Sequence, residues 1–502
     1  MAISQDPQRD HQAETKTAKP VPTEINFKTN TIVDGVLRYP PIGVKAVIVG
    51  GGIAGLFAAV ECWRKGLEVV VLEKADEVSM HGDVIGVGPS ALSTLQNYPT
   101  MVQEYNDIAY SAHWRFCFEN GEPFTEPFEY EYNDDGLAQH AAYPLRIKSI
   151  IKRSDLAKML AGQCERFGIP IHFGVSIAEY EEDDTTATAI SEDGRRFSGD
   201  VVIAADGIGT KSHAVVLGYP TRANSTGFVK FRAVVPTSSL AHIPIVQKIM
   251  NKEQRPEVRL YMGGSEGRHH AVTILPDVVC YASAVKDNGG ASESWSGRVD
   301  GAYVLSQMDN LDKIDPLIVD GFKALSSDKS IVHWLLAMRN PQGKWVSKGG
   351  RIVQAGDSAH SFLPTSGSGA TTAIESSLTI AECLRLGGSN VSLATKVYQL
   401  LRYQRVCILQ QTGLRNRQQM SSQPSSDILR QGKWHWAHQP ETYARDNFSK
   451  ARAHIENDAP FENTNLPPGH KFKEWSLEDE MAKEQAGIFS ADLKTNGDWG
   501  LV

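Results

Sequence analysis

The chain has 502 residues, 41% of them hydrophobic, and a formal net charge of -8 at pH 7. A chain of this length and composition buries a large core and is expected to hold two or more domains. Its acidic balance gives no reason to expect nucleic acid or an anionic membrane as a partner. No window of about 18 uninterrupted apolar residues is present, so no membrane span is predicted.

The six cysteines are scattered without CxxC spacing. This pattern favours free thiols in a reducing compartment, and therefore a cytoplasmic location, over a disulfide framework or a zinc site. No metal site is predicted. At the start of the chain, residues 1–43 are polar and lack the apolar core of a signal peptide, which predicts a flexible extension.

Residues 44–73 show the pattern of a nucleotide-binding β-α-β unit. An apolar strand at 44–49 leads into a glycine-rich turn, a helix runs to about residue 65, and a second apolar strand ends at residue 72. The strand before the turn and the helix after it make this a specific signal, because a GxGxxG pattern alone is weak.

Each glycine of this turn, and the acid that follows the second strand, has a physical role. Gly50 permits the tight turn, Gly52 lets a pyrophosphate approach the backbone, and Gly55 lets the helix pack close to the strand. The helix N-terminus offers unpaired N–H groups to the phosphates. Glu73 follows the second strand and is placed to accept hydrogen bonds from ribose hydroxyls.

Further along, the pattern predicts a short helical segment at 89–97, a hairpin at 114–128 and an amphipathic helix at 151–167. An apolar strand at 200–205 ends on Asp206 and Gly207. Residues 218–344 contain longer two-sided strands typical of a mostly antiparallel sheet, which indicates a second domain.

A second glycine-rich turn lies at residues 350–377. An apolar strand ends at Asp357, and Gly367 and Gly369 open a helix rich in small residues. A strand-end acid and a glycine-rich helix start suit a ribose or ribityl hydroxyl and a phosphate or carbonyl oxygen. Because no second GxGxxG turn follows the first, the sequence suggests one cofactor held from both ends and gives no separate nicotinamide site.

These three blocks together resemble, over residues 44–415, the single-component FAD-dependent aromatic hydroxylases typified by p-hydroxybenzoate hydroxylase and salicylate hydroxylase. The fungal natural-product enzymes of that family are the most similar. The resemblance implies an α/β fold: a Rossmann-like FAD-binding domain of the glutathione-reductase type with a substrate domain on a mostly antiparallel sheet. The implied division is 44–113, 140–218 and 345–415 for the FAD domain, 114–139 and 219–344 for the substrate domain, and 416–502 for a wrapping C-terminal segment.

The resemblance also implies residue roles. Gly50, Gly52, Gly55 and Glu73 would hold the pyrophosphate and adenosine ribose. The other implied cofactor contacts are Arg153, Asp206, Gly207, Asp357, Pro364, Gly367 and Gly369. The implied reaction uses NADPH or NADH and dioxygen, through a C4a-hydroperoxyflavin, to hydroxylate, epoxidise or oxidatively dearomatise an electron-rich aromatic or indole natural product. The alternative is a flavin oxidase or dehydrogenase, or a non-redox cyclase-like enzyme on the same scaffold.

Two residues are candidates for the chemistry. Arg232, on a strand of the second domain, could hold a phenolate or carboxylate, and the alternative is an arginine on the protein surface. Asp83 precedes a glycine-rich loop and could form a proton relay with Arg232, or could simply cap the loop. The chain departs from the family pattern at Thr210, His213 and Ser368, which leaves FAD binding intact but gives no basis for predicting how the nicotinamide docks. Ser361 replaces a proline that often follows the histidine of the family's third block. The expected assembly is a monomer or homodimer.

Overall fold

The computed structural model describes residues 30–78, 84–133, 147–289, 297–422, 424–426, 428–488 and 490–500. Its largest elements are a parallel sheet, an antiparallel sheet and three long helices. The helices, in chain order, are Ile53–Arg64, Pro89–Leu92, Pro99–Ile108, Arg153–Arg166, His213–Val216, Pro244–Met250, Gly301–Ser306, Pro316–Lys323, Gly369–Gly387, Val391–Ser422, Lys433–Trp436, Pro440–Asn457 and Leu477–Gln485.

A five-stranded parallel sheet forms the centre of the nucleotide-binding part. Its strands, in spatial order, are Ile352–Gln354, Val201–Ala204, Lys45–Val49, Glu68–Leu72 and Ile171–His172. Alternate residues of one strand face different layers: Ala46 and Ile48 pack with the helices, whereas Val47 and Val49 pack with a small antiparallel sheet. That small sheet consists of Arg196–Gly199, Ala187–Ser191 and Ile177–Glu182. Burial on both faces explains why these parallel strands are continuous apolar runs.

A seven-stranded sheet forms the second part of the molecule. Its strands, in spatial order, are Arg298–Val299, Ile331–Met338, Asn224–Pro236, Val278–Lys286, His269–Ile274, Glu257–Met262 and His113–Phe118. All neighbours are antiparallel except the last pair. The predicted hairpin at 114–128 supplies the last strand, and isolated bridges join Trp114 to Phe128 and Cys117 to Pro123. This arrangement confirms the predicted α/β fold with a mostly antiparallel second sheet.

Two short strand pairs complete the sheets: Thr31–Val33 with Val36–Arg38, and Val84–Gly86 with Ile150–Lys152. The first pair lies inside the predicted flexible extension. Val36 is fully buried, and Arg38 donates to Trp63 O at 3.0 Å and Leu67 O at 3.1 Å. The prediction of a flexible extension to residue 43 is therefore wrong for residues 31–38, because long-range contacts that a local pattern does not show hold this hairpin on the first helix.

The C-terminal segment is more regular than its composition indicates. The Val391–Ser422 helix runs through the predicted boundary at residue 416, so the segment begins later. Beyond it, the Pro440–Asn457 helix packs Ala444, Phe448 and Ala451 into the core of the nucleotide-binding part. The segment packs on the main body as helices joined by loops.

All six cysteines are buried and free. Burial raises the pKa of five of the thiols, to about 11 for Cys117 and about 12 for Cys164; the other three are Cys62, Cys383 and Cys407. These five are therefore neutral thiols at physiological pH. In the part of the chain that the structure covers, no helix combines the length and apolarity needed to cross a membrane.

Candidate active site

The cofactor residues predicted from the sequence lie at one edge of the parallel sheet. Gly50, Glu73, Asp206 and Asp357 all follow the carboxyl ends of its strands. After the Lys45–Val49 strand, the chain first adds strands on one side of it and later adds strands on the other side. The Gly50 turn and Asp206 therefore lie at the switch point of the sheet. Ligands of open α/β sheets bind at such points.

The three glycines of the first turn differ in their surroundings. Gly50 has φ +108°, and a Cβ there would lie 2.3 Å from Ala205 O. A Cβ on Gly55 would lie 1.9 Å from Gly50 O. A Cβ on Gly52 would meet no atom within 4 Å. The first and third glycines therefore permit close packing, whereas Gly52 leaves open space at the N-terminus of the Ile53–Arg64 helix, where a phosphate group fits.

Glu73 is held beside this turn. Its carboxylate accepts hydrogen bonds from the backbone N–H of Gly51 and, at 2.9 Å, of Ala75. These bonds orient the carboxylate at the end of its strand, next to the glycines. Glu73 does not line the main cavity described below.

The second glycine turn is rigidly supported. Pro364–Ser366 form a 3-10 turn that ends at Gly367, which has φ +62°. Thr365 Oγ1 donates to Gly413 O at 2.7 Å, and Asn416 Nδ2 donates to Thr365 O at 2.9 Å. The long Val391–Ser422 helix thus fixes the loop that precedes the Gly369–Gly387 helix.

A cavity of about 400 Å³ lies between the two glycine turns and the seven-stranded sheet. Eight of the residues predicted as sites line it: Gly52, Arg153, Gly207, Arg232, Asp357, Pro364, Gly367 and Gly369. An apolar wall faces them, formed by Trp114, Val258, Leu260, Ala271, Met420, Ile428 and Leu429. The helix N-termini at Ile53 and Gly369 both reach this space. The open Gly52, the acidic strand ends and the two helix starts fit a dinucleotide with a flat ring system.

The Asn224–Pro236 strand presents alternate residues to two environments. Val229 and Phe231 pack into the core beneath the sheet, whereas Lys230 and Arg232 point to the cavity. The Arg232 guanidinium carbon lies 5.5 Å from the centre of the Trp334 ring, which also lines the cavity. Arg232 is therefore inside the protein and not on the outer surface.

Two carboxyl groups lie beside the cavity. Burial raises the pKa of Asp357, and this rise is opposed by the guanidinium groups of Arg153, Arg339 and Arg232. Asp357 lines the cavity, and the residue is exposed to that space. Burial also raises the pKa of Asp206, whose Oδ2 accepts a hydrogen bond from Tyr180 Oη at 2.7 Å.

The positions that depart from the family pattern are built into the fold. Thr210 and Ser212 share a hydrogen bond of 2.7 Å, and Ser361 Oγ accepts from the backbone N–H of Arg339 at 3.0 Å. Burial, with the charge of Arg339, lowers the pKa of His213 to about 4. At this position the chain therefore has a neutral side chain in place of an arginine.

Sequence reasoning missed His269, which lines the cavity. The neighbouring His270 is fully buried and shares hydrogen bonds with Ser283 Oγ and Glu119 Oε1. Tyr261 is also fully buried and donates to Asp315 at 2.8 Å. Strand alternation separates the two histidines, because successive residues face opposite sides of a sheet. Asp83 lies outside the described residues, although residues 84–86 beside it line the cavity.

Comparison with known proteins agrees with this geometry. Residues 43–277 match the family described as FAD binding domain. The chain is 34% identical over 482 residues to the FAD-dependent monooxygenase fsr3 of Gibberella fujikuroi, covering 92% of this chain and 91% of that one. The crystal structure of FqzB matches with a TM-score of 0.74 at 25% identity, over 85% of this chain and 97% of that one. CtdE in complex with FAD and substrate 4 matches with a TM-score of 0.72 at 26% identity, over 82% and 100%.

The fold and the site define a flavoprotein that binds FAD. Within that class, the chain belongs to the family of fungal FAD-dependent monooxygenases. The predicted resemblance, the predicted cofactor and the prediction of a monooxygenase are therefore confirmed.

Proposed function

We propose that this monooxygenase uses NADPH or NADH and dioxygen to hydroxylate, epoxidise or oxidatively dearomatise an electron-rich aromatic or indole natural product in secondary metabolism. The observation that carries the proposal is the cavity, which has glycine turns and acidic strand ends on one side and an apolar wall with two basic side chains on the other. A cofactor and a flat apolar substrate can meet there, in a space lined by loops and helix starts of the nucleotide-binding part and by the seven-stranded sheet.

The residues of the parallel sheet would hold the cofactor. Gly52 and the helix start behind it would receive the pyrophosphate, and Glu73 the adenosine ribose. Arg153 and Asp357 would bind the ribityl region, and the segment from Pro364 to Gly369 would lie along the flavin ring. Asp206 and Gly207 would support both FAD and the nicotinamide. Bound FAD supplies the two-electron chemistry that activates dioxygen.

The seven-stranded sheet would hold the substrate. The apolar wall would bury the ring system, because burial of apolar area is the main favourable contribution in such pockets. Arg232, stacked on Trp334, would place a positive charge near an oxygen of the substrate and stabilise negative charge as it develops there. We infer that residues 114–139 and 219–344 act as the substrate domain and that Asp83 acts with Arg232 as a proton relay. We further infer a cytoplasmic monomer or homodimer.

The proposal is tested with purified protein that contains FAD. Candidate phenols and indoles are added with NADPH under labelled dioxygen, while absorbance at 340 nm and oxygen concentration are followed. We expect one substrate class to accelerate NADPH oxidation and to yield a product that carries one labelled oxygen atom.

Substrate oxidation with no label in the product, and with oxygen recovered entirely as hydrogen peroxide, would contradict the proposal. That result would instead indicate an oxidase, which the sequence left as an alternative. Substrate conversion without any oxygen uptake would indicate a dehydrogenase or a non-redox enzyme.

A further inference from the structure

His269 lines the cavity and has a ring nitrogen without a hydrogen-bond partner. The residue is 3% exposed, and its buried Nε2 has no such partner among the described residues. The ring is fixed on its other side, where Nδ1 lies 3.1 Å from Gly267 O. A buried polar atom without a partner is costly, so its retention in a ligand cavity indicates a partner supplied by a ligand.

The hydrogen bond at Nδ1 decides which role Nε2 can play. A backbone carbonyl can only accept, so Nδ1 must donate its proton to Gly267 O. In the neutral ring Nε2 then carries the lone pair and can only accept. The cavity therefore offers a fixed acceptor at this position.

The surroundings keep the ring neutral. Burial lowers the pKa of His269 to about 3, and the charges of Lys230, His270 and Arg417 act in the same direction, opposed by the Gly267 hydrogen bond. A phenol has a pKa of about 10, so proton transfer from a phenol to this ring is disfavoured. We therefore expect His269 to accept a hydrogen bond from a hydroxyl and not to act as its base.

The sheet brings a positive charge to the same region. Lys230 pairs with Ala284, and Ala284 pairs with His269, so the two polar side chains flank a small alanine on one face of three strands. Lys230 is 6% exposed and also lines the cavity. Lys230 and His269 lie on the cavity face of the sheet, because Val229 and Phe231, the neighbours of Lys230 on its strand, point into the core on the opposite face.

We propose that His269 is a specificity-determining residue that binds a hydroxyl or ring N–H of the substrate through Nε2. The substrate class is thus a flat, largely apolar polycyclic compound with a hydrogen-bond donor at the end that lies against Lys230 and His269. This inference rests on the proposed function, because it assigns the cavity to the substrate.

The test compares two probes that differ only in the donor, 1-naphthol and 1-methoxynaphthalene. Binding to the oxidised, FAD-containing protein is measured by equilibrium dialysis without NADPH. We expect the wild-type protein to bind 1-naphthol about 10–100-fold more tightly. His269→Phe should abolish this preference, whereas His269→Gln, whose amide oxygen can accept, should retain part of it.

His333→Phe is the matched control. It makes the same chemical change in the same sheet, but His333 stacks on Phe231 with ring centres 4.9 Å apart, on the face away from the cavity. It should keep the wild-type preference. Each variant is first shown to retain FAD and the thermal midpoint of the wild-type protein, and His269→Leu replaces His269→Phe if the latter fails this check.

Equal binding of the two probes by the wild-type protein, or no binding of either up to its solubility limit, would overturn the inference. So would a preference that survives in His269→Phe, or in His269→Leu where that variant replaces it. Because the dialysis contains no reductant, its outcome is separate from that of the labelled-oxygen experiment: labelled product without a donor preference would leave the proposed function standing and remove only the role of His269.

Discussion

Gly52 and Gly55 lie one helical turn apart and serve different purposes. A Cβ on Gly55 would overlap Gly50 O, whereas a Cβ on Gly52 would enter open space. Gly55 is therefore needed for the packing of the protein, and Gly52 for the approach of a ligand. Substitution of single residues can separate these two requirements.

We expect Gly52→Ala to reduce FAD affinity at least about 10-fold while the thermal midpoint of the apoprotein stays within about 2 °C of wild type, because only the space for the pyrophosphate is lost. Gly55→Ala should lower both the FAD affinity and the thermal midpoint, since the helix must move away from the turn. Fluorescence titration with FAD and calorimetry of the apoprotein measure the two effects. A Gly52→Ala protein with unchanged FAD affinity would show that the pyrophosphate lies elsewhere.

Arg232 provides the second prediction at this scale. Removing its guanidinium should reduce kcat/KM for a phenolic substrate about 10–100-fold, because a charge-assisted hydrogen bond is lost, and Arg232→Lys should recover part of the loss. Lys286→Ala is the control, since Lys286 forms an exposed ion pair with Glu266 on the same sheet. A rate unaffected by Arg232→Ala would place the substrate's oxygen away from this strand.

At the scale of elements, one buried ion cluster joins three parts of the chain. Glu375 Oε2 accepts from Arg402 Nη1 at 2.7 Å, and the Glu375 carboxylate accepts from Arg405 Nε and Nη2 at 3.0 and 2.9 Å. Although burial opposes ionisation, the two arginines hold the pKa of Glu375 well below 4.5. Arg405 also donates to three backbone carbonyls of the C-terminal segment, those of Trp434, His435 and Asn465.

Arg405→Ala should therefore destabilise the fold by about 3–5 kcal/mol, because it leaves a buried carboxylate with only one partner. It should also expose residues 430–470 to protease. Arg452→Ala removes an exposed pair with Glu456 and should change stability by no more than about 0.5 kcal/mol. Urea unfolding and limited proteolysis test both, and resistance of the Arg405→Ala protein to cleavage would show that the segment is held by apolar contacts alone.

The strand Asn224–Pro236 shows why part of the site could not be read from the sequence. Its alternation is plain, but both of its faces are covered, one by helices and the other by the cavity, so hydrophobicity does not mark the inner side. For the same reason, the sequence could not show that His269 lines the cavity while His270 does not. By contrast, the first glycine turn was predictable, because its strand, helix and terminal acid are adjacent in the chain.

Elements that are stabilised by contacts distant in the chain could not be predicted from the sequence either. The hairpin at residues 31–38 and the Pro440–Asn457 helix carry little local signal and depend on packing against the helices of the nucleotide-binding part. The domain division and the roles of the site residues remain predictions that the experiments above can decide.

At the scale of the whole molecule, buried neutral histidines should make stability sensitive to acid. Burial lowers the pKa of His213 to about 4 and of His269 and His360 to about 3 from the ordinary value of 6.5. As the pH falls, these histidines are therefore protonated in the unfolded chain before they are protonated in the folded protein. The stabilisation is complete above pH 6.5 and is lost as the pH falls toward 4, by up to about 1.4 kcal/mol per histidine and pH unit. The raised pKa values of Asp206 and Asp357 act in the opposite direction and offset part of the loss.

Urea unfolding between pH 7.5 and 5 checks this expectation: the free energy of unfolding should be nearly constant above pH 6.5 and fall below it. His360→Asn should reduce the slope by about one proton, whereas a substitution at the exposed His242 should leave it unchanged. A free energy of unfolding that does not change between pH 6.5 and 5 would mean that these histidines are accessible to protons in the native state.

The burial of all six cysteines affects how long the protein stays active during turnover. Monooxygenases that release hydrogen peroxide in unproductive turnover expose their own side chains to an oxidant, and thiolates react with it first. Here every cysteine is buried, so peroxide formed at the flavin would leave the protein without meeting an accessible sulfur. Long unproductive cycling should therefore consume NADPH without inactivating the enzyme through thiol oxidation.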